Sequence, residues 1–207
     1  MKRAVFMFEA WIGLGANQGD SIATLSDARE LLSMLSDQML FTSSLYESEP
    51  WGGVEQRAFV NQVVRAYVSP DRIAQLAQSL FNHDWSSHEN LPQWPLSHQG
   101  LWAEYLLSTL LMIERSLGRR RDADEVRWGP RVIDIDLLAI THGLNDHGSH
   151  RSPRLTLPHP RLHLRNFVLV PWAELAPQLI IPTLGQSVDE LRRACSDPHE
   201  VRRIEPK

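Results

Sequence analysis

From Val5 to Leu14 the chain is mostly apolar and rich in β-formers, and it runs into Gly13, Gly15 and Gly19, a pattern that predicts a strand followed by a glycine turn. Asp20 or Ser21 then stands where a helix needs a cap. Behind it Ile22, Leu25, Ala28, Leu31, Leu32 and Leu35 recur at helical spacing, which predicts a helix laying that face on a sheet. Leu40 to Glu47 and Phe59 to Val68 both have strand composition. The loop between them contains Pro50, Gly52 and Gly53 and leaves no room for a helix, so these two strands should be antiparallel neighbours. A second helix is expected from about Glu104 to Leu117, closed by Gly118, and Val132 to Ile140 reads as a further strand. Phe167 to Trp172 suits a short strand or helix, and Val188 to Cys195 a last helix. The order β-α-β-β-α-β predicts an α+β fold of the ferredoxin-like kind, with helices over an antiparallel sheet.

Composition narrows this picture. A chain of 207 residues with 43% hydrophobic content can bury one proper core, so a single domain over 1–207 is expected. Residues 71–103, with Trp85, Trp94 and Trp102 among prolines and histidines, read as a partly helical insertion. Cys195 is the single cysteine, and no apolar run approaches the ~20 residues needed to span a bilayer. The segment from Met1 to Ala10 leads into Trp11 and Ile12 without a small-residue cleavage signal, so it reads as strand and a cytoplasmic location is expected.

The net charge of -4 speaks against nucleic-acid binding. Its distribution is uneven, since ten arginines and no lysine fall between Arg115 and Arg165. Guanidinium forks grip phosphate oxygens two at a time, so this stretch suits a small polyanion. Lysine occurs only as Lys2 and Lys207, which excludes a Walker A loop and a protein-kinase strand lysine. No Gly-x-Ser-x-Gly elbow occurs, and one cysteine excludes the cysteine-rich zinc sites; His142, His147 and His150 form a weak zinc candidate.

The sharpest chemical signal is Asp134-Ile135-Asp136. In a strand the two carboxylates share a face, about 7 Å apart at Cα, while Ile133, Ile135 and Leu137 face the core. Hard oxygen ligands without adjacent sulfur or imidazole suit Mg²⁺, which keeps positions for water and phosphate. Trp128-Gly129-Pro130-Arg131 precedes the strand, and Arg119-Arg120-Arg121 opens a charged loop read as an exposed closing lid.

Four blocks in order carry a resemblance: Gly13-Leu14-Gly15-Ala16-Asn17-Gln18-Gly19-Asp20; Tyr46-Glu47-Ser48-Glu49-Pro50-Trp51-Gly52 with Phe59-Val60-Asn61; Leu117-Gly118-Arg119 through Asp136; and Leu157-Pro158-His159-Pro160 with Arg165 and Phe167. The chain resembles the 6-hydroxymethyl-7,8-dihydropterin pyrophosphokinases of folate biosynthesis. That resemblance implies a three-layer α/β/α elaboration of the ferredoxin-like core, ATP as donor, 6-hydroxymethyl-7,8-dihydropterin as acceptor, AMP as product and two Mg²⁺ ions. It places the metal on Asp134 and Asp136 and makes Arg119 and Arg121 catalytic-loop arginines. Arg127, Arg131, Arg154, Thr156, His159 and Arg165 fall around ATP, with Glu114 nearby. Phe59 and Phe167 match a stacking pair for the pterin, Asn61 and the backbone around Ser48 and Trp51 its edge-reading groups, and Trp128 a residue closing over it. Glu49 and Leu111 depart from the family pattern, and the loop from Arg119 to Trp128 is slightly long. Two other readings compete. One is a noncatalytic pterin or nucleotide binder; the other, a dinucleotide-binding oxidoreductase, suffers from the missing crossover helix between the second and third strands.

Overall fold

The structure is a computed structural model that describes residues 7–51, 55–81, 99–120, 128–142 and 149–205. Its centre is strand β1 (Phe8–Ala16), paired antiparallel with β4 (Phe59–Val68) on one side and β5 (Asp134–His142) on the other. Beyond β4 lie β3 (Tyr46–Ser48) and then β8 (Val201–Arg203), while β2 (Phe41–Thr42) pairs with the far part of β4. Every pairing in the described sheets is antiparallel, which removes the parallel nucleotide-binding sheet of an oxidoreductase.

Alternation along β1 divides the molecule into layers. Ala10, Ile12, Leu14 and Ala16 point to one face, against Leu25, Ala28, Leu32 and Leu35 of α1 (Ser21–Leu35) and Ala103, Leu106, Leu110 and Ile113 of α3 (Gln99–Ser116). Helix α2 (Pro70–Phe81) adds Ile73 and Leu76 to the same core. Trp11 points to the opposite face, where it meets Trp172 at 5.4 Å between ring centroids. Val168, Leu169 and Trp172 of α4 (Asn166–Leu175) and Val188 and Leu191 of α5 (Val188–Ala194) complete that second core. Each fully buried Leu, Ile or Val contributes about 1.5–3 kcal/mol, so both faces are held by apolar burial.

The local devices are conventional chemistry. Asp20 caps α1 by accepting from the Ala23 N–H at 3.0 Å, and Ser187 with Glu190 forms a reciprocal capping box on α5. Gly118 closes α3 at φ +93°, a conformation that side chains disfavour. A β-bulge sits in β5: Trp11 faces Ala139 and Ile12 faces Leu137, so Leu138 is the extra residue. Leu137 therefore stays in the α1 and α3 core while Leu138 and Ala139 both enter the α4 core.

Two expectations are corrected and one open choice is resolved. The strand read over 40–47 is broken into β2 and β3, because Ser43 Oγ accepts from the Val63 N–H at 3.1 Å and replaces a ladder bond. The range 71–103 contains most of α2 and the start of α3, which begins at Gln99 rather than near Glu104. The segment 167–172 is helical, within α4. Strands β6 (His150–Arg151) and β7 (Thr156–Leu157), a short hairpin, and β8 were not anticipated. No helix among the described residues is long and apolar enough to cross a membrane.

Candidate active site

The cleft follows from two glycines. Gly13 and Gly15 lie on the Trp11 face of β1, opposite Val63 and Asn61 of β4 and opposite Asp136 and Asp134 of β5. Without side chains on the central strand, the sheet surface there is bare backbone between two rows of side chains. Helix α4 covers the Trp11 end and leaves the glycine end open. The result is a cleft of about 750 Å³ of empty space, open to solvent, which Ser48, Glu49, Trp51, Phe59, Asn61, Trp128, Arg131, Asp134, Asp136, Arg165 and Phe167 line. A flat, apolar-walled hollow with a few convergent polar groups is the usual form of a small-molecule site.

One end is charged. As strand alternation requires, Asp134 and Asp136 face the cleft while Ile133, Ile135 and Leu137 are buried behind. Asp134 accepts from both Arg119 and Arg131, one guanidinium on each carboxylate oxygen. Asp136 lies 3.5 Å from Arg165. Although 35% of the Asp136 side chain is open to the cleft, desolvation by its surroundings and then the charge of Asp134 push its carboxyl up to about 6. His159 goes the other way: burial first, then Arg165 and Arg161, lower it to about 4, so it is neutral at pH 7. Its Nδ1 accepts from the Arg161 N–H at 3.2 Å, which leaves the proton on Nε2.

Arg119 departs from the exposed lid expected of it, and Glu114 is its buried partner. Arg119 is 5% exposed, with Nη1 donating to Glu114 Oε1 at 3.2 Å, to the Ile133 carbonyl at 2.9 Å and to Asp134. Glu114 is 1% exposed and also accepts from the Ile135 N–H at 2.8 Å. Neither lines the cleft. The two brace the start of β5 from behind, and Arg119 is no part of an exposed lid because its guanidinium is needed to neutralise two carboxylates. Arg121 and Arg127 lie outside the described residues.

The other end is aromatic. Asn61 is buried, and its amide donates to Ser48 Oγ at 2.9 Å. Trp51 packs against Trp128 at 6.2 Å with the rings tilted by 41°, and Arg161 lies over Trp128 at 5.4 Å. Trp128 has φ 67°, a left-handed conformation unusual for a bulky side chain, and its carbonyl is held by Gln56 Nε2 at 2.7 Å. Arg165 sits 5.5 Å from the Phe167 ring. Arg154 and Thr156 belong to the β6 and β7 hairpin, outside the cleft lining; Glu104 of α3 anchors that hairpin through Ser152 and His150, and His147 of the zinc candidate lies outside the described residues.

Sequence reading missed Asn17. It is buried and joins three segments: its Oδ1 accepts from the Arg131 N–H at 2.7 Å, and its Nδ2 donates to Gln56 Oε1 at 2.9 Å and the Arg57 carbonyl at 3.0 Å. It thereby fixes the Trp128–Arg131 turn against the loop before β4. The signal available was an asparagine inside the first glycine block, where a strand ends and polar backbone must find partners. Glu49 on the cleft wall and Asp197 beside Trp51 were missed as well.

The family model for 7,8-dihydro-6-hydroxymethylpterin-pyrophosphokinase (HPPK) matches residues 11–84 and 96–177. The 2-amino-4-hydroxy-6-hydroxymethyldihydropteridine pyrophosphokinase of Methylorubrum extorquens is 36% identical over 200 residues, covering 96% of this chain and 100% of that protein. The proteins of the same name from Mycobacterium bovis and Haemophilus influenzae are 33% and 31% identical, covering 84% and 97% of this chain and 76% and 100% of their own lengths. Among solved structures, the crystal structure of an HPPK-DHPS in complex with substrates superposes with TM-score 0.53 over 90% of this chain at 11% identity. This chain spans 43% of that longer one, and the likeness concerns the fold. On the family match and on these full-length relatives, the chain belongs to the 7,8-dihydro-6-hydroxymethylpterin-pyrophosphokinase family.

Proposed function

We propose that this protein transfers pyrophosphate from ATP to 6-hydroxymethyl-7,8-dihydropterin, giving AMP and the pterin pyrophosphate, a step of folate biosynthesis. The observation that carries the reading is the two-ended cleft: an aromatic end with a buried amide runs directly into paired carboxylates flanked by Arg131 and Arg165. A pterin is flat, apolar on its faces and polar at its edge. Phe59, Phe167, Trp51 and Trp128 suit the faces, and Asn61 with Ser48 suits the edge, since an amide both donates and accepts.

Asp134 and Asp136 fit Mg²⁺. Among the described residues no group of three His, Cys, Asp or Glu side chains gathers to hold an ion unaided. Two carboxylates leave most positions to water and phosphate, as Mg²⁺ prefers, and two ions are consistent with a triphosphate donor. When bound, Mg²⁺ would offset charge on the phosphate oxygens. The chain's own part is positioning. Arg131 and Arg165 flank the carboxylates and direct phosphate oxygens to them, and neutral His159 has its Nε2–H to offer an oxygen. Arg121, Arg127, Arg154 and Thr156 are assigned to the nucleotide side. The acceptor hydroxyl oxygen forms a bond to the β-phosphorus as the bond to the AMP oxygen breaks, in line and without a covalent enzyme intermediate, and the hydroxyl proton is released to water. Arg119 and Glu114 act through Asp134, which they hold in place.

The antiparallel order β5, β1, β4, β3, with α1 and α3 on one face, supports the ferredoxin-like reading, and α4 and α5 supply the third layer. One domain with an insertion at about 71–103 is proposed, and the gap in the family match at 85–95 supports it.

The test is the nucleotide product formed with and without the pterin. AMP that appears only with 6-hydroxymethyl-7,8-dihydropterin supports the proposal. ADP as the product contradicts it, and binding of both ligands without AMP makes the protein a noncatalytic binder.

A further inference from the structure

The segment after residue 177 lies beyond the family match, yet it reaches the aromatic end of the cleft. Strand β8 pairs with β3, setting Val201 opposite Ser48. Just before β8 stands Asp197, whose side chain is 1% exposed. A single oxygen, Oδ2, accepts from Trp51 Nε1 at 3.3 Å and from the Asn166 N–H at 2.9 Å. The other, Oδ1, takes the backbone N–H of His199 at 3.1 Å and its Nδ1 at 2.7 Å. Asn166 returns a bond from its side-chain amide to the Asp197 carbonyl at 2.9 Å.

We infer that Asp197 is a positioning residue for the pterin end of the cleft, one carboxylate that fixes Trp51 on one wall and the start of α4, with Phe167, on the other. Helix α4 has no side-chain bond from its own N-cap, Arg165. Asp197 supplies that cap from 31 residues away, and a negative charge at a helix N-terminus is favourable. The next two residues toward the cleft are functional: Arg165 faces Asp136, and Phe167 lines the hollow. On the opposite wall the indole N–H of Trp51 leaves little choice of ring orientation. His199 packs against the same ring at 5.6 Å, tilted by 34°, and Trp128 at 6.2 Å, tilted by 41°, so the wall is a cluster of rings with Asp197 at its foot. Burial would raise the Asp197 carboxyl, but its donors from Asn166, His199 and Trp51 hold it below the ordinary carboxylate range.

This inference rests on the proposed function, and the test separates the two. Turnover of the unaltered protein reports on the function; variants relative to it report on Asp197. Asp197→Asn, which keeps the shape but turns one acceptor into a donor, is expected to raise the pterin KM about tenfold, the worth of a hydrogen bond to a charged group, with the ATP KM changed less than about twofold. His199→Ala removes a partly exposed ring and tests the same wall without threatening the fold; the pterin KM should rise about threefold. A third readout needs no substrate: the Trp51 indole N–H resonance, assigned with Trp51→Phe, should move in Asp197→Asn. An unchanged pterin KM in His199→Ala, equal rises in both KM values in Asp197→Asn, or an unmoved indole resonance overturns the inference.

Discussion

A Cβ at Gly15 would come to 3.3 Å from Asn61 Oδ1, closer than ordinary contact, so the amide would have to shift by a few tenths of an ångström, and to 3.9 Å from the Phe59 ring, an ordinary contact. Nothing about its backbone forbids a side chain; the constraint is the cleft itself. Gly15→Ala is therefore expected to fold but to displace the Asn61 amide, raising the pterin KM by about tenfold, as loss of a buried hydrogen bond would. An unchanged pterin KM would remove Asn61 from the edge-reading role. His159 carries a second expectation. Its folded value of about 4 lies below the ordinary 6.5, so between those values the unfolded chain binds a proton that the folded chain refuses. Stability from this residue is present above pH 6.5 and is lost as the pH falls toward 4. Melting curves from pH 7 to 5 should show a smaller acid loss for His159→Gln than for the unaltered chain. The aspartates, the arginine cluster and the stacking candidates were visible as residue types. Asn17 and Asp197 were not, because each acts by joining segments far apart in sequence, a relation that no local pattern records.

At the scale of elements, the start of β5 is set by a buried cluster. Glu114 from α3 and Arg119 from the turn after it hold the Ile135 N–H, the Ile133 carbonyl and Asp134. Removing one partner of a buried pair leaves the other uncompensated, so Arg119→Ala should cost roughly 3 kcal/mol of stability. Urea unfolding checks this; a loss of activity with full stability would return Arg119 to a direct catalytic role. Long periodic elements such as α1 and β4 were legible because burial on one face enforces their spacing. The strand around Ser43 was misread, since a serine hydroxyl substitutes for the backbone there, and β8 is too short and polar to announce itself. The helix α4 was ambiguous from sequence, because six apolar residues suit either a strand or a turn and a half of helix.

At the scale of the molecule, the sheet brings to one end what the chain keeps more than a hundred residues apart. Gly13 and Gly15 provide the floor, β4 the amide, β5 the carboxylates and α4 one aromatic wall. The order of elements along the chain and the antiparallel pairing of β3 with β4 were readable from hydrophobic pattern and a short connection, whereas the depth of the cleft depends on how α4 packs across the sheet, which only packing reveals. Desolvation first, and then the neighbouring Asp134, raise the Asp136 carboxyl. A cation bound there would oppose both effects, so Mg²⁺ with ATP should raise the melting temperature of the unaltered chain, and by less in Asp136→Ala. The most direct measurement is pterin-dependent AMP formation by the unaltered chain and by Asp136→Ala, side by side at saturating Mg²⁺. Rapid AMP formation by the first and none by an equally stable second is the predicted result; comparable turnover in both would show that the carboxylates of this cleft do not carry the reaction.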